Sequence, residues 1–318
     1  MKPSGCATLL RVADRGLQAA IDVVVVSYNS ADSLRRCVGP LVADADLRVF
    51  VVDSASVDGS LETLEGLNAV RVPLDANRGF AYGCNRGWRA GSAPYVLFLN
   101  PDAVLQPADV RVLAAVLERE PETGAVGPRL VNDRHGLEYS QRRFPKLRST
   151  YAQALFLHRI FPESTWADEL IRNRDAYDRP GSPDWISGAC ILIRRAVLER
   201  LGGWDESFFL YSEDTDICLR IRDIGLEVHY TPNATAIHVG GGSGARTTLL
   251  PVLAASRLRF VRKHSKQPST ALLRIGMVVS ELTHAAAGRG GRAARAGHLR
   301  GAYVLLTANS GGAVPASR

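Results

Sequence analysis

The chain has 318 residues, 46% of them hydrophobic, which is enough for one large domain with a sizeable core. It contains no run of about 18 apolar residues, which argues against a membrane-spanning helix. Its five scattered cysteines form no CxxC pair, which argues against a zinc site or a disulfide framework.

The net charge of +7 is unevenly distributed. Residues 250–318 carry eleven Lys and Arg against one acid, whereas residues 1–249 are slightly acidic. A basic C-terminal end could meet nucleic acid or an anionic membrane surface, and the alternative for Gly288–Arg318 is a solvated, partly disordered end. Nucleic acid is the weakest of these interpretations, because we identify no basic, aromatic-lined face in the rest of the chain.

Residues 1–20 lack a long apolar stretch before a cleavage site, so we expect an N-terminal extension without a secretion signal. Unpaired cysteines are typical of a reducing compartment. We therefore expect a cytoplasmic protein.

Strand-like and helix-like patterns alternate over the first 120 residues. Ile21–Ser27 is apolar and β-branched, as expected of a strand buried on both faces. The other elements predicted here are strands Leu47–Val52, Ala69–Val72 and Tyr95–Leu99, and helices Ser30–Val38, Gly59–Glu65, Phe80–Ala90 and Pro107–Glu118. This alternation predicts an α/β fold with a mostly parallel sheet flanked by helices.

The second half of the chain begins with an irregular insertion, residues 131–184, rich in Arg, Pro and aromatic residues. Regular patterns then return. They predict a strand at Ser187–Ile193, a short helix, a helix at Ser212–Ile224, strands at Glu227–Tyr230 and Ala234–His238, and a helix at Thr248–Lys263.

Polar residues gather where the predicted strands end, which is where open α/β sheets bind ligands. They are Tyr28, Asn29, Asp53, Asn100 and Asp102. A carboxylate at such an edge suits a hard cation such as Mg²⁺, although an aspartate after a strand is commonly a turn former. The same alternatives apply to Asp53, which could contact a nucleotide or close a turn.

Asn77–Gly87 is a glycine-spaced loop that enters a helix. Backbone amides at a helix start suit an anionic group, and Arg78 could add charge. Asn85 lies inside that helix, where an amide can also serve packing. His238 ends a strand before the glycines of Gly240–Gly244, and a lone histidine is more often structural than a ligand.

Asp214 occupies an unexpected position in its predicted helix. It continues the apolar stripe of Ile217, Ile221 and Ile224, whereas Asp216 can pair with Arg220 four residues later. A carboxylate on a core-facing side is costly unless it has a function, and the helix N-terminus keeps it ionised. These properties are those of a general base at a cleft.

Aromatic residues Trp185 and Trp204 could form a wall that stacks on a sugar, or they could belong to the core. Glu213 could tune its neighbour Asp214 by like-charge repulsion. We treat these three residues as candidates for the acceptor side of a site.

Seven segments in this order resemble the inverting family 2 glycosyltransferases with a GT-A fold, in particular the rhamnosyltransferase-like branch. The resemblance covers about residues 21–265. The segments are Val23–Asn29, Val51–Ser60, Asn77–Gly87, Leu97–Ala103, Ser187–Arg195, Gly202–Gly225 and His238–Ser243. Residues 266–318 would then form a helical basic extension, expected to associate with a membrane, and residues 131–184 a region that contacts the acceptor.

The resemblance implies roles for single residues. Asp214 would be the catalytic base, and Asp102 in the metal-binding DxD position would hold Mg²⁺ or Mn²⁺, with His238 as a further metal contact. Asn100 replaces the first acid of that motif. Donor contacts would come from Tyr28, Asn29, Asp53, Asn77, Arg78, Gly79, Asn85 and Asn100.

The implied reaction is transfer of a sugar with inversion, from dTDP-L-rhamnose to a glycan or polyprenyl-diphosphate-linked acceptor, at the inner face of the plasma membrane. Galactosyl, glucosyl or mannosyl transfer remains an alternative within the same fold. A non-catalytic nucleotide-sugar binder or membrane adaptor is the alternative from another class, and the presence of both Asp102 and Asp214 argues against it.

Overall fold

A computed structural model describes residues 20–239, 247–288 and 290–308 of the chain. The predicted N-terminal extension, apart from its last residue, and the glycines of Gly240–Gly244 lie outside the described residues.

The strands of the described residues are β1 Ile21–Ser27, β2 Leu47–Asp53, β3 Val70–Pro73, β4 Tyr95–Leu99, β5 Ala103–Leu105, β6 Thr123–Val131, β7 Leu137–Glu138, β8 Gln141–Arg142, β9 Trp185–Ile186, β10 Cys190–Arg194 and β11 Glu227–His238. They include the predicted strands at β1 to β4, β10 and β11, together with five strands, β5 to β9, that were not predicted from the sequence. The central sheet has the order β3–β2–β1–β4–β10–β6–β11–β5, with β7 paired to β6, while β8 and β9 pair separately.

The sheet is parallel in one half and mixed in the other. Strands β3, β2, β1 and β4 pair in parallel, as predicted. Strand β10 runs antiparallel to both of its neighbours, β4 and β6, whereas β11 again runs parallel to β6. The parallel half therefore brings the carboxyl ends of β1, β2 and β4 to one edge, and the mixed half adds residues from both ends of its strands.

Helices and single helical turns separate the strands. The described α-helices are α1 Ala31–Val42, α2 Phe80–Ala90, α3 Pro107–Arg119, α4 Leu147–Ala154, α5 Leu157–Ile160, α6 Arg195–Leu201, α7 Glu213–Asp223, α8 Leu250–His264, α9 Ser269–Ala287 and α10 Gly291–Thr307.

Strand β1 shows why the sheet is covered on both faces. All seven of its residues are buried. Val23 and Val25 pack into the cluster that contains α1 and α3, whereas Val24 and Val26 pack into the cluster that contains α2, α6 and α7. Because successive side chains of a strand point to opposite faces, an unbroken β-branched run requires apolar helices on each side.

Some element boundaries differ from the sequence prediction. Helix α1 continues past Pro40 to Val42, and only Glu62–Leu64 of the predicted helix Gly59–Glu65 forms a 3₁₀ turn. The two predicted strands after α7 are one strand, β11, whose register against β6 shifts between Thr231 and Thr235. That shift explains why the apolar pattern is interrupted there.

The C-terminal helices form a packed layer. Leu258 of α8, Leu273 and Met277 of α9 and Leu305 of α10 share an apolar cluster with Phe208. The predicted domain boundary at residue 265 thus lies between helices that share one cluster, and Gly291–Thr307 is helical rather than solvated coil. Within the described ranges, we find no helix with the length and hydrophobicity needed to cross a bilayer.

Candidate active site

One cavity of about 860 Å³ gathers side chains from distant parts of the chain. Asn100 and Asp102 follow β4, Asp214 lies in the first turn of α7, and His238 ends β11. All four line this cavity. The two acids singled out in the sequence, 112 positions apart by numbering, therefore face the same space.

Asp214 is held at the N-terminus of α7 by backbone donors. The amide of Gly188 donates to its Oδ2 at 3.1 Å, and the amide of Thr215 donates to its Oδ1 at 2.8 Å. The side chain is half-buried and lines the cavity. Because each carboxylate oxygen can accept more than one hydrogen bond, Asp214 keeps capacity for an incoming hydroxyl.

Glu213 and Asp214 form a coupled acidic pair. Burial raises the pKa of both carboxyls, and the charge of Asp214 raises the pKa of Glu213 further. Hydrogen bonds from Gly188 and Thr215 and the charge of Arg142 oppose the increase at Asp214. Oε2 of Glu213, in contrast, is buried and has no hydrogen-bond partner among the residues that the structure describes. Asp214 is therefore better stabilised as an anion than Glu213, because its oxygens accept hydrogen bonds and it faces the charge of Arg142.

His238 lies beside Asp102 because β11 and β5 pair with His238 opposite Ala103. Its Nε2 lies 3.4 Å from Oδ1 of Asp102, and its Nδ1 lies 2.9 Å from Oε2 of Glu138. Burial lowers the pKa of His238, but the two carboxylates outweigh burial and raise it. Glu138 can thus fix the ring so that Nε2 faces Asp102.

Asp102 and His238 fit a cation whose remaining ligands come from water and substrate. The described residues contain no cluster of three or more His, Cys, Asp or Glu side chains arranged to hold a metal. Asp102 and His238 nevertheless supply an oxygen and a nitrogen within one cavity. Mg²⁺ sites commonly use one or two protein ligands together with water and substrate phosphates.

The residues after β1 and β2 form a separate loop cluster. The carboxylate of Asp53 accepts hydrogen bonds from the amide and the hydroxyl of Ser56, at 2.9 and 2.6 Å, as the turn alternative predicted. Oδ1 of Asn29 accepts one from the amide of Val57. Asp53 is buried and Tyr28 is exposed, and these residues of the described chain lie outside the cavity of Asp102 and Asp214.

The loop before α2 is attached to the segment before α7. Gly79 has φ of 96° and ψ of 169°, and the amide of Phe80 donates to the carbonyl of Phe209 at 2.8 Å. Oδ1 of Asn77 accepts from the amide of Gly79. Arg78 is half exposed, pairs with Asp75 and stacks over Tyr82, so its guanidinium is already engaged.

Asn85 is a structural residue, which corrects its assignment to the donor site. It is buried in α2 and donates to the carbonyl of Trp204 and to Glu206, at 2.8 and 2.7 Å. Its Oδ1 accepts from Trp88 Nε1 and from the amide of Trp204, both at 2.9 Å. All four of its hydrogen-bonding positions are occupied, and three of the four bonds hold the loop after α6 against α2.

Trp204 does not belong to the acceptor wall. It is 2% exposed, and its ring packs edge-on against Phe98 of β4 and Phe80, with centroids 5.0 and 6.0 Å apart. The core alternative is therefore correct for Trp204. The side chain of Trp185, in contrast, is half-buried and lines the cavity.

Two cavity residues, Glu138 and Arg142, were missed from the sequence. Both belong to the insertion predicted as irregular, and no local pattern marks them. Glu138 pairs with Leu130 across β6 and β7, and Arg142 pairs with Trp185 across β8 and β9.

Comparison with known proteins shows which protein family the chain belongs to. The model of the family "Glycosyl transferase family 2" matches residues 22–202. N-acetylglucosaminyl-diphospho-decaprenol L-rhamnosyltransferase of Mycobacterium tuberculosis is 31% identical over 235 residues, which cover 69% of this chain and 75% of that protein. Rhamnosyltransferase WbbL of Escherichia coli K12 is 25% identical over 231 residues, 68% of this chain and 82% of that protein.

A solved structure supports the same fold. The mannosyltransferase PcManGT from Pyrobaculum calidifontis, in complex with GDP-Man and Mn²⁺, superposes with a TM-score of 0.58 at 18% identity. The alignment covers 91% of this chain and 88% of that one. The predicted GT-A fold class is thereby confirmed.

Proposed function

The chain belongs to glycosyl transferase family 2, and from this membership we propose that it transfers L-rhamnose from dTDP-L-rhamnose to a polyprenyl-diphosphate-linked glycan. Two relatives named as rhamnosyltransferases support the sugar, and the printed name of the mycobacterial relative supports the acceptor class. The observation that carries the proposal is the position of Asp102 and Asp214 in one cavity. The product would enter cell-wall or surface-polysaccharide synthesis.

Asp214 supplies the base in this proposal. An acceptor hydroxyl donates to the carboxylate of Asp214, which takes the proton as the oxygen attacks the anomeric carbon. The diphosphate leaves from the opposite face of the sugar, so the configuration inverts. Burial and the neighbouring charge of Asp214 raise the pKa of Glu213, which favours its neutral form.

The leaving group would be placed at Asp102 and His238. A divalent cation held there would neutralise negative charge on the diphosphate. Glu138 orients the His238 ring through Nδ1. The side-chain amide nitrogen of Asn100 lies 3.5 Å from Nε2 of the same ring, on the side that would face the cation. The loop cluster of Tyr28 and Asp53 is proposed to meet the nucleoside.

Mannosyl transfer is the second candidate, because the superposed structure PcManGT was solved with GDP-Man and Mn²⁺. Incubation with dTDP-rhamnose, GDP-mannose, UDP-glucose and UDP-galactose, each with a synthetic lipid-diphosphate acceptor, distinguishes the donors by the mass of the product. We expect a product with dTDP-rhamnose. Turnover of no donor, with or without Mg²⁺ or Mn²⁺, would favour the non-catalytic binder instead.

A further inference from the structure

Arg142 lines the cavity of Asp102 and Asp214, and its guanidinium includes an unsatisfied donor. Its Nε is buried and has no hydrogen-bond partner within the described part of the chain. A buried donor without an acceptor costs free energy, and the cost is larger on a charged group. Such a group suggests a missing anionic partner.

The neighbouring arginines differ from Arg142 because their side chains are paired. Arg257 of α8 lies 2.6 Å from Glu169, and Arg172 lies 2.7 Å from Asp168. Arg143 donates to the carbonyl oxygen of Leu170 at 3.3 Å. Of these four arginines, Arg142 is therefore the one whose buried Nε has no hydrogen-bond acceptor among the described residues.

The position of Arg142 is fixed before any ligand binds. Its guanidinium stacks over the ring of Trp185 at 5.1 Å, and the indole of Trp185 donates to the carbonyl of Arg143 at 3.1 Å. Burial lowers the pKa of Arg142, while the carboxylates of Asp214, Glu169 and Asp168 act to raise it. A preorganised guanidinium loses little side-chain entropy on binding an anion.

Resting on the proposed function, we propose that Arg142 binds the diphosphate of the lipid-linked acceptor. Asp214 lies in the same cavity, so one acceptor can present a sugar hydroxyl to Asp214 and its anomeric diphosphate to Arg142. A guanidinium suits this task because it can donate two parallel hydrogen bonds to phosphate oxygens. Asp102 and His238 then remain for the diphosphate of the donor.

The remainder of the cavity matches the chain that the diphosphate would carry. Helices α8 and α9 give the cavity an apolar wall of hydrocarbon side chains. These are Leu250, Leu253, Phe260, Val261 and Met277. An alkyl chain attached to the bound diphosphate would bury apolar surface against this wall.

The first test compares two acceptors on Arg142→Gln, Arg142→Lys and the control Arg257→Gln. The acceptors are N-acetylglucosamine on an alkyl diphosphate and the same sugar as a neutral alkyl glycoside. We expect Arg142→Gln to raise KM for the diphosphate acceptor about 10- to 100-fold, the worth of a charged hydrogen bond. KM for the glycoside and donor hydrolysis should not change. Equal losses on both acceptors would mean that Arg142 acts through Asp214 and would overturn the proposal.

The second test does not require transfer. Binding of decyl diphosphate is measured by calorimetry in EDTA, which removes cation-bridged binding at Asp102. The wild-type chain should bind decyl diphosphate, and Arg142→Gln should bind it at least about tenfold more weakly. The affinity of Arg142→Lys should lie between these two, and that of Arg257→Gln should equal the wild-type affinity. Equal affinity of wild type and Arg142→Gln, at matched thermal stability, would overturn the proposal. Binding through Arg142 without transfer from any donor would instead contradict the proposed reaction.

Discussion

The amide of Phe80 and the carbonyl oxygen of Phe209 are joined by a hydrogen bond of 2.8 Å. Phe80 is the first residue of α2, and Phe209 lies four positions before α7, which carries Asp214. This contact ties the loop at Asn77–Gly79 to the segment that leads to the base. It requires close backbone approach, and Gly79 permits that approach.

Gly79→Ala should therefore be costly. A β-carbon at Gly79 would overlap the backbone of Phe209, and its φ of 96° with ψ of 169° belongs almost solely to glycine. We expect a loss of about 2–5 kcal/mol in the free energy of unfolding. Denaturant titration measures it. Gly66→Ala is the matched control, since Gly66 also has positive φ but open space, and it should lose about 1–2 kcal/mol. Equal losses would refute the steric account.

Asp214→Asn should lower kcat for transfer about 10²-fold or more while the chain stays folded, because the general base is lost. Glu213→Gln is the control. It should keep most of the activity, since burial and the charge of Asp214 raise the pKa of Glu213 and favour the neutral form, which glutamine resembles in shape. Near wild-type turnover by Asp214→Asn would remove Asp214 from the mechanism.

The role of Asp214 as the base also predicts how the activity of the wild-type enzyme depends on pH. Since the pKa of Asp214 is raised above 3.8, the acid limb of kcat/KM should lie above pH 3.8, with activity lost as pH falls through the raised value. A limb at or below pH 3.8 would contradict the assignment.

Asp216 should matter for stability rather than for chemistry. Its fully buried carboxylate lies 2.7 Å from Arg220, Lys263 and His264, so it joins α7 to α8. Asp216→Asn should cost about 3–5 kcal/mol by leaving buried cations unpaired. Asp178→Asn, at an exposed pair with Arg129, should cost less than about 1 kcal/mol in the same denaturant titration.

The pH dependence of Asp216 has a defined sign. Burial opposes ionisation, but His264, Arg220 and Lys263 outweigh it and hold the pKa below 3.8. The stabilisation is therefore complete above pH 3.8 and is lost as pH falls through the lowered pKa. Asp216→Asn should show a weaker loss of stability in this acid range, and an unchanged acid dependence would count against the pairing.

Cation affinity should depend on Asp102 and on its histidine support. Titration of Mn²⁺ in the presence of a nucleoside diphosphate, followed by electron paramagnetic resonance, measures it directly. Asp102→Asn and Glu138→Gln should each weaken binding about 10- to 100-fold. Glu169→Gln changes a carboxylate of the same cavity that is paired with Arg257, and should leave the affinity near wild type. If all three substitutions weakened Mn²⁺ binding equally, the cause would be the loss of negative charge in the cavity rather than the loss of a particular ligand.

The exposed face of α10 should bind anionic membranes. Five of its exposed residues recur at helical spacing, and the first two are basic while the last three are apolar: Arg292, Arg295, Leu299, Tyr303 and Leu306. Cosedimentation with vesicles containing anionic lipid should fall with added salt and with the double variant Arg292→Glu/Arg295→Glu. Arg36→Glu/Arg71→Glu, on α1 and β3, is the charge-matched control. Equal binding to neutral vesicles would contradict this surface.

The sequence was most informative where local pattern and structure agree. The β-branched run Ile21–Ser27 predicted a strand buried on two faces, and the apolar stripe of α7 predicted that Asp214 would face inward. In both cases burial is set by the period of the element itself, so neighbouring residues carry the information.

The sequence was least informative where position depends on distant pairing. Glu138 and Arg142 reach the cavity through contacts with Leu130 and Trp185, which no local pattern encodes. The amide of Asn85 was assigned to the ligand, but the loop at Trp204 and the indole of Trp88 use all its hydrogen bonds. A buried polar residue can serve a ligand or a loop equally well, and only the folded partner decides.

Phe260, Val261 and Met277 belong both to the cavity wall and to the apolar cluster of the C-terminal helices. A hydrocarbon chain lodged there would add contacts inside that helical layer. Binding of the hydrocarbon chain would then stabilise the packing of the C-terminal helices. The enzyme with bound acceptor should therefore resist proteolysis at α9 and α10 better than the enzyme without it.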